Sequence, residues 1–535
     1  MGVSTRTTAV ARAAAAALSG LVAGYAALAV AELLAVALRP STGPVTAVGA
    51  AVIDRTPSGV KDWAVRTFGT DDKLVLQAGI LAFLVLCAAL LGILALRTRR
   101  LAAGCVAAFG VLGAGIALSR PDAGGLLAAL PSLAGGIAGA VVLYVLAGQL
   151  ASPEAAEVGA AASGDLPRPD SGDLPRRRFV LATAGVAAGA TGVGAAARAL
   201  EAGSTAAAEA GRATVELPAP ASPAPPLPRG VDLRVEGVAP FRTANRDFYR
   251  VDTALDVPRI DPGSWRLRLH GKGVGNPRVL TFQDLLGRAL VERDITLTCV
   301  SNEVGGPYVG TARWLGVPLG ALLEEAGVRP PSRGGPADQL VARSVDGMTV
   351  GSPVETVMDG RDAMLAVGMN GEPLPFDHGF PVRMLVPGLY GYVSACKWIE
   401  DIELTTFDDY DAYWVKRDWA REAPVKTQSR IDTPKPFARP AAGRVTVAGV
   451  AWAQHRGIDR VEVRVDEGAW QQAELAAEGS VDTWRQWRWD WAATPGSHIL
   501  QVRATDGTGA LQTAKRTRTI PDGASGWHSV VVNVT

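Results

Sequence analysis

Across 535 residues, 48% of the chain is hydrophobic and 20% charged, a balance that points to several membrane spans and excludes a single soluble domain. The 53 basic and 52 acidic residues nearly cancel, so no electrostatic footprint argues for nucleic acid as a partner. Four cysteines, Cys87, Cys105, Cys299 and Cys396, are too few and too scattered for a disulfide framework or a paired-cysteine zinc site; if one matters, it acts alone.

Residues 1–150 carry charge-free apolar runs at 74–96, 101–119 and 124–150, and a run at 13–38 broken only by Glu32. Each is close to the ~20 residues that span ~30 Å of hydrocarbon. Arg97-Thr98-Arg99-Arg100 separates the second and third runs, and Arg176-Arg177-Arg178 precedes a fifth at 179–197, which makes both connections cytoplasmic by the positive-inside rule. With the amino terminus inside, five crossings leave everything after residue 200 outside. Glu32 is costly in a span, although its place near the outer end lets it snorkel. None of the five histidines lies in a span, so bis-histidine haem within the membrane part is excluded.

Residues 151–229 read as a linker. Ser163-Gly164-Asp165-Leu166-Pro167-Arg168 recurs as Ser171-Gly172-Asp173-Leu174-Pro175-Arg176 in a polar, disordered cytoplasmic loop. Arg176-Arg177-Arg178-Phe179-Val180 before an Ala/Gly-rich run resembles a twin-arginine export signal, a route used by proteins that fold and take up a cofactor before transport. From 201 to 229 the Ala/Pro-rich sequence reads as an extended tether. Residues 230–420 mix short strand-like runs such as Ile295-Thr296-Leu297-Thr298 with a few helical stretches, as in an α+β domain. Residues 421–535 show alternating runs at strand-and-turn spacing, as in an Ig-like β-sandwich. The fold class is multi-domain: transmembrane helices, an α+β domain, then a sandwich.

Cys299 ends the run 295–298 and enters Val300-Ser301-Asn302-Glu303-Val304-Gly305-Gly306, so its thiol sits where a strand opens into a polar, Gly-rich loop. By itself this favours a buried, inert cysteine. The stretch Met369-Asn370-Gly371-Glu372-Pro373-Leu374-Pro375-Phe376-Asp377-His378-Gly379-Phe380-Pro381-Val382-Arg383, with Lys397-Trp398 after it, changes the weighing. It closely resembles the sulfite oxidase family of molybdopterin-dependent enzymes. Phe248-Tyr249-Arg250, Thr298-Cys299 with Asn302, Thr311-Ala312-Arg313-Trp314, Asp346-Gly347 and Gly449-Val450-Ala451-Trp452-Ala453 follow in family order.

The resemblance implies a Mo-molybdopterin cofactor, with Cys299 as the protein ligand to molybdenum; a soft thiolate suits that metal. It implies that His378, Arg383 and Lys397 hold the pterin phosphate, that Phe248, Tyr249, Arg250 and Asp346 line the pterin, and that Arg250 and Asp252 belong to the catalytic pocket. A homodimer through the last domain is implied as well. The sequence departs from sulfite oxidases where substrate binds: Glu303 and Val304 replace arginines after the ligand cysteine, Trp419 stands where a tyrosine is expected, and Asp252 replaces a histidine. An acidic mouth disfavours a small dianion.

The chain is therefore expected to be an oxidoreductase at a bacterial cell membrane, multi-pass, with its catalytic domain on the outer face. It would catalyse two-electron oxygen-atom transfer on a small sulfur or nitrogen oxo compound, exchanging electrons with a separate cytochrome or quinone-linked carrier because no second redox-centre motif is present. The competing readings are a methionine sulfoxide reductase-like repair enzyme and a non-enzymatic exported scaffold on the same fold.

Overall fold

A computed structural model describes residues 2–39, 42–56, 60, 63, 67–68, 72–120, 125–150, 174–254 and 256–535, so most of the duplicated linker lies outside the described residues. Two compact units result, the first formed by residues 1–206 with 253–256 and the second by 207–252 with 257–535.

Among the described residues five helices are long and apolar enough to cross a membrane: Val10–Leu38, Lys73–Ala95, Arg99–Leu118 and Leu126–Leu150 in the first unit, and Arg177–Ala213, whose last turns belong to the second. Small residues let them approach closely. A Cβ on Gly110 would fall 2.8 Å from the Gly136 Cα, so either substitution would force these two helices apart. A short helix that the apolar runs do not reveal, Pro44–Arg55, begins with proline at its first turn. The Glu32 carboxylate lies at its amino-terminal end, where a Cβ on Gly43 would be 3.0 Å from Oε2.

The last of these helices extends over Leu174–Ala213, well past the expected end at 197. Alanine and proline have opposite effects on such a tether. Between 195 and 213 the sequence is alanine-rich and proline-free, and alanine is the best helix former. The chain extends only afterwards, and even there it is not free: the Ser222 N–H donates to Leu290 O at 3.2 Å, the Glu292 N–H donates to Ser222 O at 2.9 Å, and Leu217 and Leu227 pack on the core.

The second unit contains 18 strands. Its first ten are β1 (Arg266–Gly271), β2 (Arg278–Thr281), β3 (Val291–Thr298), β4 (Val309–Pro318), β5 (Gln339–Ser344), β6 (Thr349–Pro353), β7 (Met364–Met369), β8 (Glu372–Pro373), β9 (Arg383–Leu385) and β10 (Ile399–Thr405). They form a mixed sheet in the order β2-β1-β10-β5-β6 and a second sheet, β3-β4-β7-β8, with β9 also on β7. The remainder are β11 (Gln428–Thr433), β12 (Gly443–Trp452), β13 (Ile458–Val465), β14 (Gln471–Gln472), β15 (Glu474–Leu475), β16 (Arg485–Ala493), β17 (Gly496–Asp506) and β18 (His528–Val534). These make two antiparallel sheets, β11-β12-β16-β15 and β14-β13-β17-β18, whose inner residues Val447, Trp487, Val463, Val502 and Val532 share one core.

The position near residue 420 is not a break in packing. Val450, Trp452 and Trp484 of the sandwich belong to the same buried cluster as Leu267, Leu340 and Val386. His528 marks another part of this joint: its Nδ1 accepts the Ile431 N–H at 3.0 Å. Burial first, then the nearby Arg430 and Arg516 cations, push its pKa down to about 4 against the opposing pull of Asp432. Because the folded pKa is depressed, the unfolded chain binds the extra proton between pH ~6.5 and ~4, and stability falls on acidification through that window. At pH 5 the expected cost is about 2 kcal/mol. Denaturant unfolding at pH 7.5 and 5 checks it: the pH-dependent loss should shrink by that amount in His528→Gln.

Candidate functional site

β3 carries its side chains with period two. Ile295 and Leu297 enter the core beside Phe248 and Trp314, while Thr296 and Thr298 face the other way. The strand ends at Cys299, which is 8% exposed. Its N–H donates to Tyr308 O at 3.0 Å, and Asn302, whose N–H donates to Cys299 O at 3.0 Å, accepts the Tyr308 N–H on Oδ1 at 2.8 Å. The loop is thus a closed turn. Burial raises the Cys299 pKa, opposed by hydrogen bonds from the Ser301 backbone and hydroxyl, so the thiol is neutral unless a cation compensates its charge.

Beside it lie the aromatic residues Phe248 and Tyr249, stacked with centroids 5.2 Å apart. Phe248 also meets the Trp314 and His378 rings edge-on at 5.8 and 5.6 Å. Burial, and then the Cys299 charge, raise the Tyr249 pKa, while Arg383 pulls it down, which links the three groups.

Arg383 is buried. Its Nη1 donates to His378 O at 3.1 Å and its guanidinium lies 5.1 Å from the Trp314 ring centre. Its Nε has no hydrogen-bond partner among the described residues. Burial lowers the pKa to about 10, so the group is still a cation at neutral pH. The His378 Nε2–H donates to Asn245 O at 2.8 Å; burial brings this imidazole down to about 4, and it is neutral. Gly379, at φ +107°, separates the two, and a Cβ there would press within 3.1 Å of the Lys397 Cα and Arg383 Cβ. A phosphate in this cradle would find an unspent buried N–H donor carrying positive charge, so the residues present fit a pterin phosphate.

Lys397 and Arg250 are less open. The Asp252 side chain, 3% exposed, accepts from Lys397 Nζ at 2.8 Å and from Arg250 Nε at 2.9 Å, and Asp377 lies 3.6 Å from Arg250 Nη1. Burial lowers the Lys397 pKa to about 8 against the pull of Asp252. Asp346 sits in the β5–β6 turn, where its Oδ1 accepts the Met348 N–H at 3.2 Å. That turn reaches the Lys397 segment through the Val345 N–H, which donates to Trp398 O at 3.1 Å. Glu303 is exposed on the cysteine loop. Arg313 points elsewhere: it forms a two-pronged pair with Asp294 at 3.1 and 2.7 Å.

Sequence reasoning missed Asn245, which orients His378, and Tyr390, a buried phenol on whose pKa the Cys299 charge acts. The sequence around Asn245 carries no motif. Tyr390 lies in the segment after β9, next to Gly391, where a Cβ would be 3.8 Å from Thr298 O.

A family model described as "Oxidoreductase molybdopterin binding domain" matches residues 254–414. The mitochondrial sulfite oxidase of Mus musculus is 32% identical over 298 residues, 48% of this chain and 54% of that protein. Sulfite oxidase of Gallus gallus is 31% identical over 316 residues, 49% of this chain and 67% of the relative. Among solved structures, the sulfane dehydrogenase SoxCD from Paracoccus pantotrophus is 26% identical with a TM-score of 0.48, over 56% of this chain and 85% of that one. The chain spans about half the length of the mammalian relatives it matches. A pterin-domain match in the half that holds the cysteine loop, and identity sustained over two thirds of the avian protein, lead to one assignment: this chain belongs to the sulfite oxidase family of molybdenum-dependent, molybdopterin-binding oxidoreductases.

Proposed function

We propose that this is a membrane-anchored oxidoreductase whose second unit catalyses oxygen-atom transfer on a small, uncharged sulfur or nitrogen oxo compound. The observation that carries it is a buried thiol at a strand end and a buried arginine with an unspent donor, both acting on Tyr249. When bound, Mo-molybdopterin supplies the two-electron chemistry. Cys299 is its metal ligand; Arg383, His378 and Lys397 take the phosphate end; Phe248, Tyr249, Arg250 and Asp346 line the pterin. Electrons pass to a separate carrier. The five apolar helices anchor the chain in a bacterial membrane, the Ig-like sandwich pairs two copies, and the catalytic unit is exported through Arg176-Arg177. Changing both arginines to lysine keeps the topological charge, and is expected to leave the second unit inaccessible to added protease; an accessible, active unit would show that the pair serves only orientation.

The choice of an uncharged substrate rests on charge. Asp252 and Asp377 already neutralise Arg250 and Lys397, and Glu303 adds a negative charge on the loop. Losing one charge-assisted contact costs ~1.5–3 kcal/mol, or about ten- to a hundredfold in kcat/KM for sulfite. Metal analysis and mediator-coupled assays with sulfite, S-oxides and N-oxides test this. Molybdenum near one atom per chain with the neutral compounds preferred is expected, whereas sulfite turnover near ~10⁶ M⁻¹s⁻¹ would refute the preference.

A further inference from the structure

The strand that delivers Cys299 is completed by the carboxy-terminal sandwich. The Thr296 N–H donates to Asp482 O at 2.9 Å, and the Trp484 N–H donates to the Thr296 hydroxyl at 2.7 Å. Gln454, 1% exposed, donates through Nε2 to Thr298 Oγ1 at 2.8 Å and to Thr296 O at 3.0 Å. On the other side of the cysteine, Arg430 donates from Nη1 to Gly306 O at 2.9 Å, and Asp432 fixes its guanidinium at 2.6 Å. The His528 ring occupies the space into which a Cβ on Gly305 would point, 2.2 Å from its nearest atom. Two consecutive glycines, one at φ +82°, would leave this loop free to choose among conformations. Contacts from another sheet remove the choice.

We propose that Gln454 and Arg430 are positioning residues for Cys299, so that the sandwich fixes the backbone from which the thiolate would bind its metal. Neither residue needs to touch substrate to do so, since partners beyond the ligands orient them and tune the metal. The proposal rests on the reading of Cys299 as the molybdenum ligand.

The test uses the full-length, cofactor-loaded protein. Gln454→Met keeps bulk and deletes both donations; Arg430→Met keeps the stem and deletes the donor. Each is expected to hold molybdenum within about twofold of wild type, to shift the thiolate-to-metal absorption band and the g-values of the one-electron-reduced metal, and to lower kcat about ten- to a hundredfold with KM nearly unchanged. Arg430→Lys should restore the wild-type spectrum. If Gln454→Met does not fold, Gln454→Asn, one methylene shorter, breaks the same bonds and is read the same way. Wild-type band and g-values in folded variants at both positions overturn the proposal. Cys299→Ser separates the two ideas: a band and g-values unchanged from wild type there refute the cysteine ligand itself, whereas a changed spectrum there, with unchanged spectra in the other variants, refutes only the positioning.

Discussion

Cys299→Ser is expected to lower turnover by roughly a thousandfold or more, equivalent to ~4 kcal/mol of transition-state stabilisation, while the melting temperature changes little. A hydroxyl is a harder donor, a poor match for the metal a thiolate suits. The fold should tolerate the change because the loop is held through backbone groups, with Cys299 N–H on Tyr308 O and its carbonyl on Asn302 N–H. Molybdenum content measured beside kcat distinguishes the causes: metal retained with activity lost marks the ligand's chemistry, and kcat within tenfold of wild type would remove Cys299 from the metal.

Arg383→Met is expected to act in opposite directions on two observables. Cofactor affinity should fall about ten- to a hundredfold, because a buried charge-assisted donor to phosphate is lost. The stability of the cofactor-free chain should rise by ~1–3 kcal/mol, because a desolvated cation whose Nε has no hydrogen-bond partner among the described residues is replaced by an apolar side chain of similar length. Molybdenum content of purified protein and denaturant melts of the cofactor-free form check both. A fall in stability together with unchanged metal content would make Arg383 a structural residue.

Much of this arrangement is legible in the sequence where interactions are local. Apolar runs mark the five long helices, and period-two alternation up to residue 298 places Cys299 at a strand end. The order of motifs from Phe248 to Lys397 marks the groups that β9 and the Phe248 segment bring together. Non-local pairing is not legible. Asp252 shows as a substituted residue in sequence, but only the fold reveals that it holds both Arg250 and Lys397, the latter 145 residues away. Arg430 and Gln454 meet the cysteine strand and loop across 124 and 156 residues, and neither lies in a motif that announces it. The helix through Ala213 is hidden for a different reason: the Ala/Pro-rich composition of 201–229 holds all its prolines in the second half, and only the alanine-rich first half is helical.

The joint between β3 and the sandwich also constrains the order of biogenesis. Thr296, Thr298 and Gly306 find their partners at Asp482, Gln454 and Arg430, all in the sandwich and all more than 120 residues later in the chain. A nascent chain emerging from the ribosome therefore exposes the cysteine strand long before those partners are synthesised. The cysteine strand and loop can take up these contacts only once residues as far as Asp482 have been made, and a chain stopped near residue 420 would lack the Arg430, Gln454 and Asp482 partners.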